Sequence, residues 1–349
     1  LKLVNLGKIT EEERTKRLAA VTTTETSEDF ETCDLVIEAV FENKTVKTKV
    51  TREAEKHMDE YSLFASNTSS IPISDLAQGS LRPDNFVGLH FFSPVDKTRI
   101  VEIVRGKQTS DETVARAFDF VKAIKKIPIL VKDNWGFYVA RVQNTYILEG
   151  ITMLEEGHLP ALIEQVGLQS GMPMGALALA DELSLPITLN YERQAAEHYG
   201  SKYIEHPSTT ILHEMIEVLD RKGKSKKAGF YAYRDTKEKN LLWEGLVEHF
   251  PTKITQYSIE EIAERLLFVQ VIEAVWCLQE GIIKNIAEAN LGSIYGWGFP
   301  AFRGGVIQYI NDYGMKEFVE RCEYYEQVHG PRFTVPRLLR EKLKEGIEF

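Results

Sequence analysis

Apolar and polar residues follow two different periods along the chain. Before residue 133, short apolar runs rich in β-branched and aromatic residues predict strands at residues 34–40, 62–66, 86–92, 100–104 and 128–131. Helical spacing of the apolar residues predicts helices at residues 43–58 and 111–124. Strands that alternate with helices are typical of a mostly parallel α/β sheet.

From Phe137 onward the pattern becomes helical. Apolar residues recur at helical spacing as far as Gly157, where a glycine predicts the end of the helix. The remaining sequence is predicted to be mainly helical, so we place a domain boundary near residues 133–135. Residues 235–257, polar at first and irregular afterwards, are predicted to form a linker, and a helix is predicted to begin near Ser258.

The helical part contains a weak internal repeat. Residues 154–157 (Leu-Glu-Glu-Gly) and 171–175 (Gly-Met-Pro-Met-Gly) resemble residues 278–281 (Leu-Gln-Glu-Gly) and the Gly-Phe-Pro turn at 298–300. Each copy reads as a helix ended by glycine, a connecting helix and a Gly-Pro turn. We therefore expect two related helical domains.

The predicted fold class is α/β plus all-α. It comprises a Rossmann-type parallel-sheet domain in residues 1–133, a helical domain in 134–235, and a linker with a second, degenerate helical domain in 236–349. The chain opens with the end of one helix and a helix start capped by Thr10. A dinucleotide site also needs a first strand followed by a Gly-rich turn. No such segment opens the sequence, so we expect the sheet domain to be incomplete, with its first βαβ unit missing.

The only Gly-rich stretch that resembles a phosphate loop is residues 296–301 (Gly-Trp-Gly-Phe-Pro-Ala). It follows a helical pattern and carries a proline near the point where a phosphate-binding helix would have to begin. We interpret it as a turn between helices.

The composition narrows the function classes. With 349 residues, 43% hydrophobic and 27% charged, the chain can bury two or three cores, and its net charge of -10 argues against nucleic-acid binding. Cys33, Cys277 and Cys322 lie far apart, which suggests neither a disulfide framework nor a metal site and favours a reducing compartment. No run reaches the roughly 18 apolar residues of a spanning helix, so we expect no transmembrane segment.

Polar residues at the ends of predicted strands are candidates for chemistry. Residues 67–70 (Asn-Thr-Ser-Ser) directly follow a strand, where open parallel sheets bind ligands, but a hydroxyl cap for a helix after Ile73 explains them equally well. His90 lies among apolar residues, where a histidine is often structural. Glu102 interrupts the next strand and requires a partner if buried. Glu102 could orient His90 as a general base, although a structural ion pair has the same signature.

Four segments of the sheet half resemble the 3-hydroxyacyl-CoA dehydrogenase family in order and spacing: residues 34–43, 66–70, 88–95 and 101–103. The helical half resembles the same family in residues 136–139, 171–175, 229–231, 277–281 and 295–300. The resemblance covers essentially the whole chain. The second helical module is similar to that of the multifunctional β-oxidation enzymes, in which an enoyl-CoA hydratase domain precedes the dehydrogenase.

This resemblance implies oxidation of L-3-hydroxyacyl-CoA to 3-oxoacyl-CoA with NAD as cofactor. His90 would take the proton of the 3-hydroxyl group, Glu102 would orient His90, and Ser69 would hydrogen-bond the substrate. The residues that match cofactor-binding positions of the family are Glu42, Lys47, Ser69 and Ser93. Ala140 stands where the family often has an asparagine that helps hold the catalytic centre, and Ser93 stands where many members have asparagine.

The resemblance also implies partners and a location. We expect the hydratase domain on the same longer polypeptide, a thiolase partner subunit, no metal, and the bacterial cytoplasm, or mitochondria or peroxisomes in a eukaryote. Two other interpretations stay open. The polypeptide could be a noncatalytic fragment or helical assembly module of the multifunctional enzyme, or an NAD-dependent dehydrogenase of small hydroxy acids, against which the second helical module argues.

Overall fold

The protein is described by a computed structural model that covers residues 1–234, 241–253 and 258–349. Its main sheet has five strands in the order β1-β2-β3-β4-β5. Their bounds are Leu35–Glu38 (β1), Leu63–Ser66 (β2), Phe86–Phe91 (β3), Ile100–Arg105 (β4) and Ile127–Lys132 (β5). All five strands that the sequence predicts are therefore present.

Three of the four strand pairs are parallel, and β3 and β4 pair antiparallel. The helices of this half are Lys2–Asn5 (α1), Glu11–Ala19 (α2), Lys44–His57 (α3), Ile73–Ala77 (α4) and Asp111–Ala123 (α5). Thr10 and Glu13 form a capping box at the start of α2, as the sequence predicts. The result is a mostly parallel, Rossmann-like sheet.

The remaining described residues are mainly helical. The helices are Val139–Glu156 (α6), Pro160–Gln169 (α7), Ala176–Leu183 (α8), Leu185–Tyr199 (α9), Thr209–His213 (α10), Leu246–His249 (α11), Ile259–Gln279 (α12), Ile286–Gly292 (α13), Gln308–Tyr313 (α14), Met315–His329 (α15) and Arg337–Glu345 (α16). Two predicted boundaries are confirmed, because α6 ends at Gly157 in the left-handed conformation and the Ser258 side chain caps α12. Residues 296–301 connect helices, as predicted.

The predicted linker differs in part from the structure. Residues 241–253 contain a strand, Leu241–Leu242 (β7), that pairs with Tyr231–Ala232 (β6), and they bury Leu246 and Phe250. This segment is packed onto the helical half because its apolar side chains face the core. Residues 235–240 and 254–257 of the predicted linker lie outside the described residues.

The internal repeat has a counterpart in the packing of α6 against α12. The same interval along the chain separates three pairs of charged residues, namely Arg141 from Arg265, Glu149 from Glu273, and Glu156 from Glu280. Arg141 pairs with Glu273 and Glu280, a set that we name the Arg141 cluster. Arg265 pairs with Glu149 and Glu156, the Arg265 cluster. The two helices thus exchange equivalent ion pairs across their interface.

The described part of the chain lacks two features, a membrane-spanning helix and a cluster of metal ligands. None of its helices is long and apolar enough to cross a membrane. It also contains no group of three or more His, Cys, Asp and Glu side chains placed to hold a metal ion.

Candidate active site

The carboxyl ends of β1, β2 and β3 form one polar edge of the sheet. Glu42 follows β1, Ser69 follows β2 and Ser93 follows β3. Because these strands are parallel neighbours, their carboxyl ends meet at the same edge. All three residues are exposed. The structure therefore brings three of the predicted cofactor-binding residues to one face.

Glu42 holds the loop that contains Ser69. Its Oε1 accepts hydrogen bonds from the Thr68 hydroxyl at 2.6 Å, from the Ser69 N–H at 3.1 Å and from the Ser70 N–H and hydroxyl at 3.0 and 2.9 Å. Burial alone would raise the pKa of Glu42, but the hydrogen bond from Thr68 and the charge of Lys47 outweigh it and leave that pKa below its usual value. Glu42 is therefore a fixed anion at this edge.

Lys47 lies beneath the edge and is 1% exposed. Its Nζ donates to both oxygens of the buried Glu38 at 3.1 Å and to the Val40 carbonyl at 3.3 Å. The same nitrogen lies 3.3 Å from Glu42 Oε2. Lys47 is thus enclosed by acceptors of the protein, and it reaches the exposed edge only through Glu42.

His90 and Glu102 meet inside the sheet. They occupy paired positions of the antiparallel strands β3 and β4, and His90 Nδ1 lies 2.7 Å from Glu102 Oε2. His90 is 6% exposed and Glu102 is fully buried. The rings of Phe92 and Phe137 lie 4.3 and 5.6 Å from the imidazole, measured between centroids. The predicted contact is confirmed, and it lies in a largely apolar enclosure.

The other oxygen of Glu102 binds the start of α6. Glu102 Oε1 accepts hydrogen bonds from the backbone N–H groups of Tyr138 at 3.1 Å and Val139 at 2.8 Å. The chain enters this helix through Gly136 and Phe137, both in the left-handed region with φ of 64° and 51°. A left-handed phenylalanine is strained and must be held by its surroundings. Sequence reasoning missed this contact because the strand and the helix start are distant in the chain.

Residues 67–70 do not cap the helix that begins at Ile73. Instead, the carboxylate of Asp133, at the end of β5, accepts from the N–H groups of Ile73 and Ser74 at 2.8 and 2.7 Å. Burial, the largest effect on Asp133, leaves its pKa above the usual value. The alternative explanation of residues 67–70 as a hydroxyl cap is therefore wrong, and α4 is capped by Asp133, which the sequence did not single out and which lies at the opposite edge of the sheet from Ser69.

Two side chains of residues 67–70 shape the loop itself. Asn67 Oδ1 accepts from the N–H of Phe91 at 2.9 Å and so joins the ends of β2 and β3. The Thr68 hydroxyl accepts from the N–H of Ile71 at 2.9 Å and closes a turn. These bonds leave Ser69 on the outside of the loop.

The helical half contributes two further residues. Ala140, the second residue of α6, is 8% exposed and places a methyl group at the position noted in the sequence as a departure from asparagine. Tyr191 of α9 is buried, and its pKa is raised by burial first and then by the charges of Glu102 and Glu42. Sequence periodicity gave no reason to select Tyr191, because a tyrosine within a helix usually belongs to a core.

The edge offers groups of the kinds that a ribose and a planar ring of NAD require. Phe41, three residues after the end of β1, is 86% exposed, and Val46 is 39% exposed, so an apolar surface lies beside the Glu42 carboxylate. A ribose needs a hydrogen-bond acceptor and a planar ring needs an apolar surface, and these residues offer both. The pyrophosphate would require a Gly-rich turn after a strand, which this sequence does not contain.

Comparisons with known proteins agree with this geometry. Residues 1–134 match the family model described as 3-hydroxyacyl-CoA dehydrogenase, NAD binding domain, and residues 136–233 match the C-terminal domain of the same family. The fatty acid oxidation complex subunit alpha of Shewanella amazonensis is 35% identical over 343 residues, which are 98% of this chain and 48% of that protein. The subunit from Idiomarina loihiensis is 36% identical over 323 residues, 92% of this chain and 45% of that protein. The chain thus spans about half the length of the curated relatives that it matches.

Two solved structures are also similar. The (S)-3-hydroxybutyryl-CoA dehydrogenase of Ralstonia eutropha is 34% identical, with a TM-score of 0.63, over 67% of this chain and 82% of that one. The 3-hydroxybutyryl-CoA dehydrogenase of Escherichia coli K12 shares the fold over 99% of this chain and 89% of that one, with a TM-score of 0.83 at 20% identity. The chain therefore belongs to the 3-hydroxyacyl-CoA dehydrogenase family, whose N-terminal domain binds NAD.

Proposed function

We propose that this protein oxidises L-3-hydroxyacyl-CoA to 3-oxoacyl-CoA with NAD, and that His90 is the general base. The observation that carries the proposal is the buried hydrogen bond between His90 Nδ1 and Glu102 Oε2, 2.7 Å long. A buried imidazole whose one nitrogen is fixed by a carboxylate has its other nitrogen free to accept a proton in a defined direction.

The chemistry assigned to each group follows from this geometry. A neutral His90 that donates from Nδ1 accepts the proton of the 3-hydroxyl group at Nε2. The negative charge of Glu102 stabilises the imidazolium that forms, and the two backbone N–H groups of α6 keep that carboxylate in place. NAD, when bound, supplies the acceptor for the hydride that leaves the same carbon. Assistance by a general base is typically worth roughly 10²–10⁴-fold.

The exposed edge would hold the two ligands. We assign the hydroxyl of Ser69 to a hydrogen bond with the substrate, because the loop bonds to Glu42 leave it on the outside. Glu42 and Ser93 would contact the cofactor, and Lys47 would keep Glu42 charged from below. Each assignment rests on the shared position of these residues at the carboxyl ends of β1, β2 and β3.

The proposal is tested by following NADH formation from L-3-hydroxyacyl-CoA substrates of several chain lengths. We expect the parent protein to form NADH and His90→Ala to lose about 10²-fold or more in kcat. The control is His213→Ala, since the His213 side chain is 41% exposed and pairs with Glu217 within one helical turn. Full activity of His90→Ala would remove His90 from the mechanism. Absence of NADH from the parent would favour the noncatalytic interpretation.

We further propose that the chain is the dehydrogenase part of a longer bacterial polypeptide that also carries an enoyl-CoA hydratase domain, that binds a thiolase subunit, and that acts in the cytoplasm. Support comes from the relatives, which are alpha subunits of a complex and about twice as long as the matched segment. Native mass spectrometry of the protein purified from its source, with hydratase and thiolase assays on the same fraction, tests this. A lone polypeptide of 39.8 kDa would contradict it.

A further inference from the structure

The Arg141 and Arg265 clusters share a core of one arginine and two glutamates but have different surroundings. Each contains a buried guanidinium and two carboxylates, one from the middle and one from the end of the opposite helix. In both clusters the carboxylate at the helix end, Glu280 or Glu156, makes a two-point contact with distances between 2.7 and 3.2 Å. The clusters differ in their further contacts, because Arg141 also donates to the Tyr199 hydroxyl at 3.1 Å, whereas Arg332 joins both carboxylates of the Arg265 cluster.

The Arg141 cluster lies against the helix start that binds Glu102. Arg141 is the third residue of α6, and its N–H donates to the Gly136 carbonyl at 3.1 Å, across the left-handed turn. Tyr138 and Val139, whose N–H groups hold Glu102, lie inside that turn. The backbone that carries the Arg141 side chain is thus continuous with the N–H groups that bind the carboxylate in contact with His90.

The Arg265 cluster has no such neighbour. Arg265 is the seventh residue of α12, which begins at an ordinary serine cap, Ser258. Its partners Glu149 and Glu156 lie ten and seventeen positions after Val139 on α6, about 15 and 25 Å along the helix axis at about 1.5 Å per residue. This cluster is the more buried one, since Glu149 is fully buried and also pairs with Arg332 at 2.6 Å, whereas the Glu273 side chain is 20% exposed.

We propose that the Arg141 cluster positions the His90–Glu102 pair, whereas the Arg265 cluster only stabilises the fold. The inference rests on the proposed function of His90 and assigns positioning roles to Arg141, Glu273 and Glu280. It means that the second helical module acts on the reaction centre through α12, although the described hydrogen bonds and ring contacts of the imidazole go to Glu102, Phe92 and Phe137.

The equivalence of the clusters provides a matched pair of variants, Glu273→Gln and Glu149→Gln. Each replaces one carboxylate by an amide of the same shape at an equivalent position. We expect Glu273→Gln to lower kcat by about tenfold or more with a smaller change in KM, because a small displacement of a positioned group is costly. We expect Glu149→Gln to keep kcat within about twofold of the parent value. It should lower the melting temperature at least as much as Glu273→Gln does, because Glu149 is more buried and pairs with two arginines.

A second readout does not depend on turnover. The Nδ1–H proton of His90, hydrogen-bonded to a carboxylate, should give a downfield NMR signal. Glu273→Gln should shift or broaden that signal, and Glu149→Gln should leave it in place. The Nδ1–H readout therefore separates failure of the positioning role from failure of the proposed reaction, since it is available even if the parent forms no NADH.

Two results would overturn the proposal. One is a loss of kcat in both variants in proportion to their loss of stability. The other is an unchanged His90 signal in Glu273→Gln. If either glutamine variant fails to fold, Arg141→Lys and Arg265→Lys replace the pair, because lysine keeps the buried charge but loses the forked hydrogen bonds. We then expect Arg141→Lys to lose more activity than Arg265→Lys, and Arg265→Lys to lose at least as much stability as Arg141→Lys.

Discussion

Buried charges in this protein occur in sets whose members satisfy one another. Lys47 contacts Glu38 and Glu42, and His90 contacts Glu102. An unpaired charge in such places would cost several kcal/mol, so each set depends on all of its members. Removal of one partner should therefore have a larger effect than its single hydrogen bond suggests.

Glu102→Gln tests the most important of these sets. The amide keeps the shape and can still accept from α6, but it carries no charge to stabilise an imidazolium at His90. We expect kcat/KM for 3-hydroxyacyl-CoA oxidation to fall by about 10²–10⁴-fold. The control is Glu55→Gln, another buried carboxylate that accepts a backbone N–H, from Leu81, but lies outside the site. Similar kinetics for the two variants would contradict the role of Glu102.

Glu192 gives a prediction for stability against pH. Burial, with a contribution from the charge of Glu273, raises its pKa from 4.5 to about 7. Between these values the folded protein binds a proton that the unfolded chain does not, so stability contributed by this group is present at low pH and is lost as pH rises through about 7. Above pH 7, the free energy of unfolding of Glu192→Gln, measured with urea, should therefore exceed that of the parent by about 1–3 kcal/mol. Near pH 4 the two free energies should be equal. If the free energies of unfolding of the parent and Glu192→Gln changed with pH in the same way, the raised pKa of Glu192 would be contradicted.

Among the elements, helix starts are where distant parts of the chain meet. The N–H groups of α4 bind Asp133 of the β5 end, and those of α6 bind Glu102 of β4. In both cases an acidic side chain from the sheet satisfies N–H groups that a helix leaves without internal partners. These four hydrogen bonds fix the start of α4, which follows the Ser69 loop, and the His90–Glu102 pair relative to the sheet.

Asp133→Ala should destabilise the protein more than loss of an ordinary cap. It leaves the N–H groups of Ile73 and Ser74 without their acceptors in a part-buried place, which costs about 1–3 kcal/mol. Ser110→Ala, which removes the local cap of α5, should cost about 1 kcal/mol. The comparison is made by urea unfolding, and an Asp133→Ala effect no larger than that of Ser110→Ala would count against this account.

At the scale of the whole molecule, the module after residue 258 is joined to both other parts. The Lys132 N–H donates to the Ile282 carbonyl at 2.7 Å, beside the end of β5. The Tyr138 hydroxyl donates to the Ala289 carbonyl at 3.0 Å, and α12 packs along α6. The second module therefore completes the surface against which the sheet and the first helices fold.

Hydrogen exchange should report this joint packing. Because α6 and α12 are largely buried and pack against each other, their central amides should exchange at the same slow rate, set by global unfolding. Helix α2 buries no residue and should exchange fastest. Exchange of α12 at a much faster rate than α6 would mean that the two modules unfold separately.

Much of this molecule could be predicted from local sequence. The five strands, the end of α6 at Gly157 and the start of α12 at Ser258 follow from periodicity and capping residues. His90 and Glu102 could be paired because they interrupt consecutive apolar strands. The linker could not be predicted in full, since burial of Leu246 and Phe250 depends on a surface that only the folded helices provide.

The sequence by itself determined the elements, the family and the residue types available for chemistry, because those depend on neighbours a few positions apart. Only the tertiary structure decided what each polar group binds. Glu102 binds the start of α6, and Asp133 binds the start of α4. In the two arginine clusters, the arginine of one helix binds carboxylates of the other. The physical reason is that a buried charge or N–H group must find a partner, and packing, not sequence distance, determines which partner lies within 3 Å.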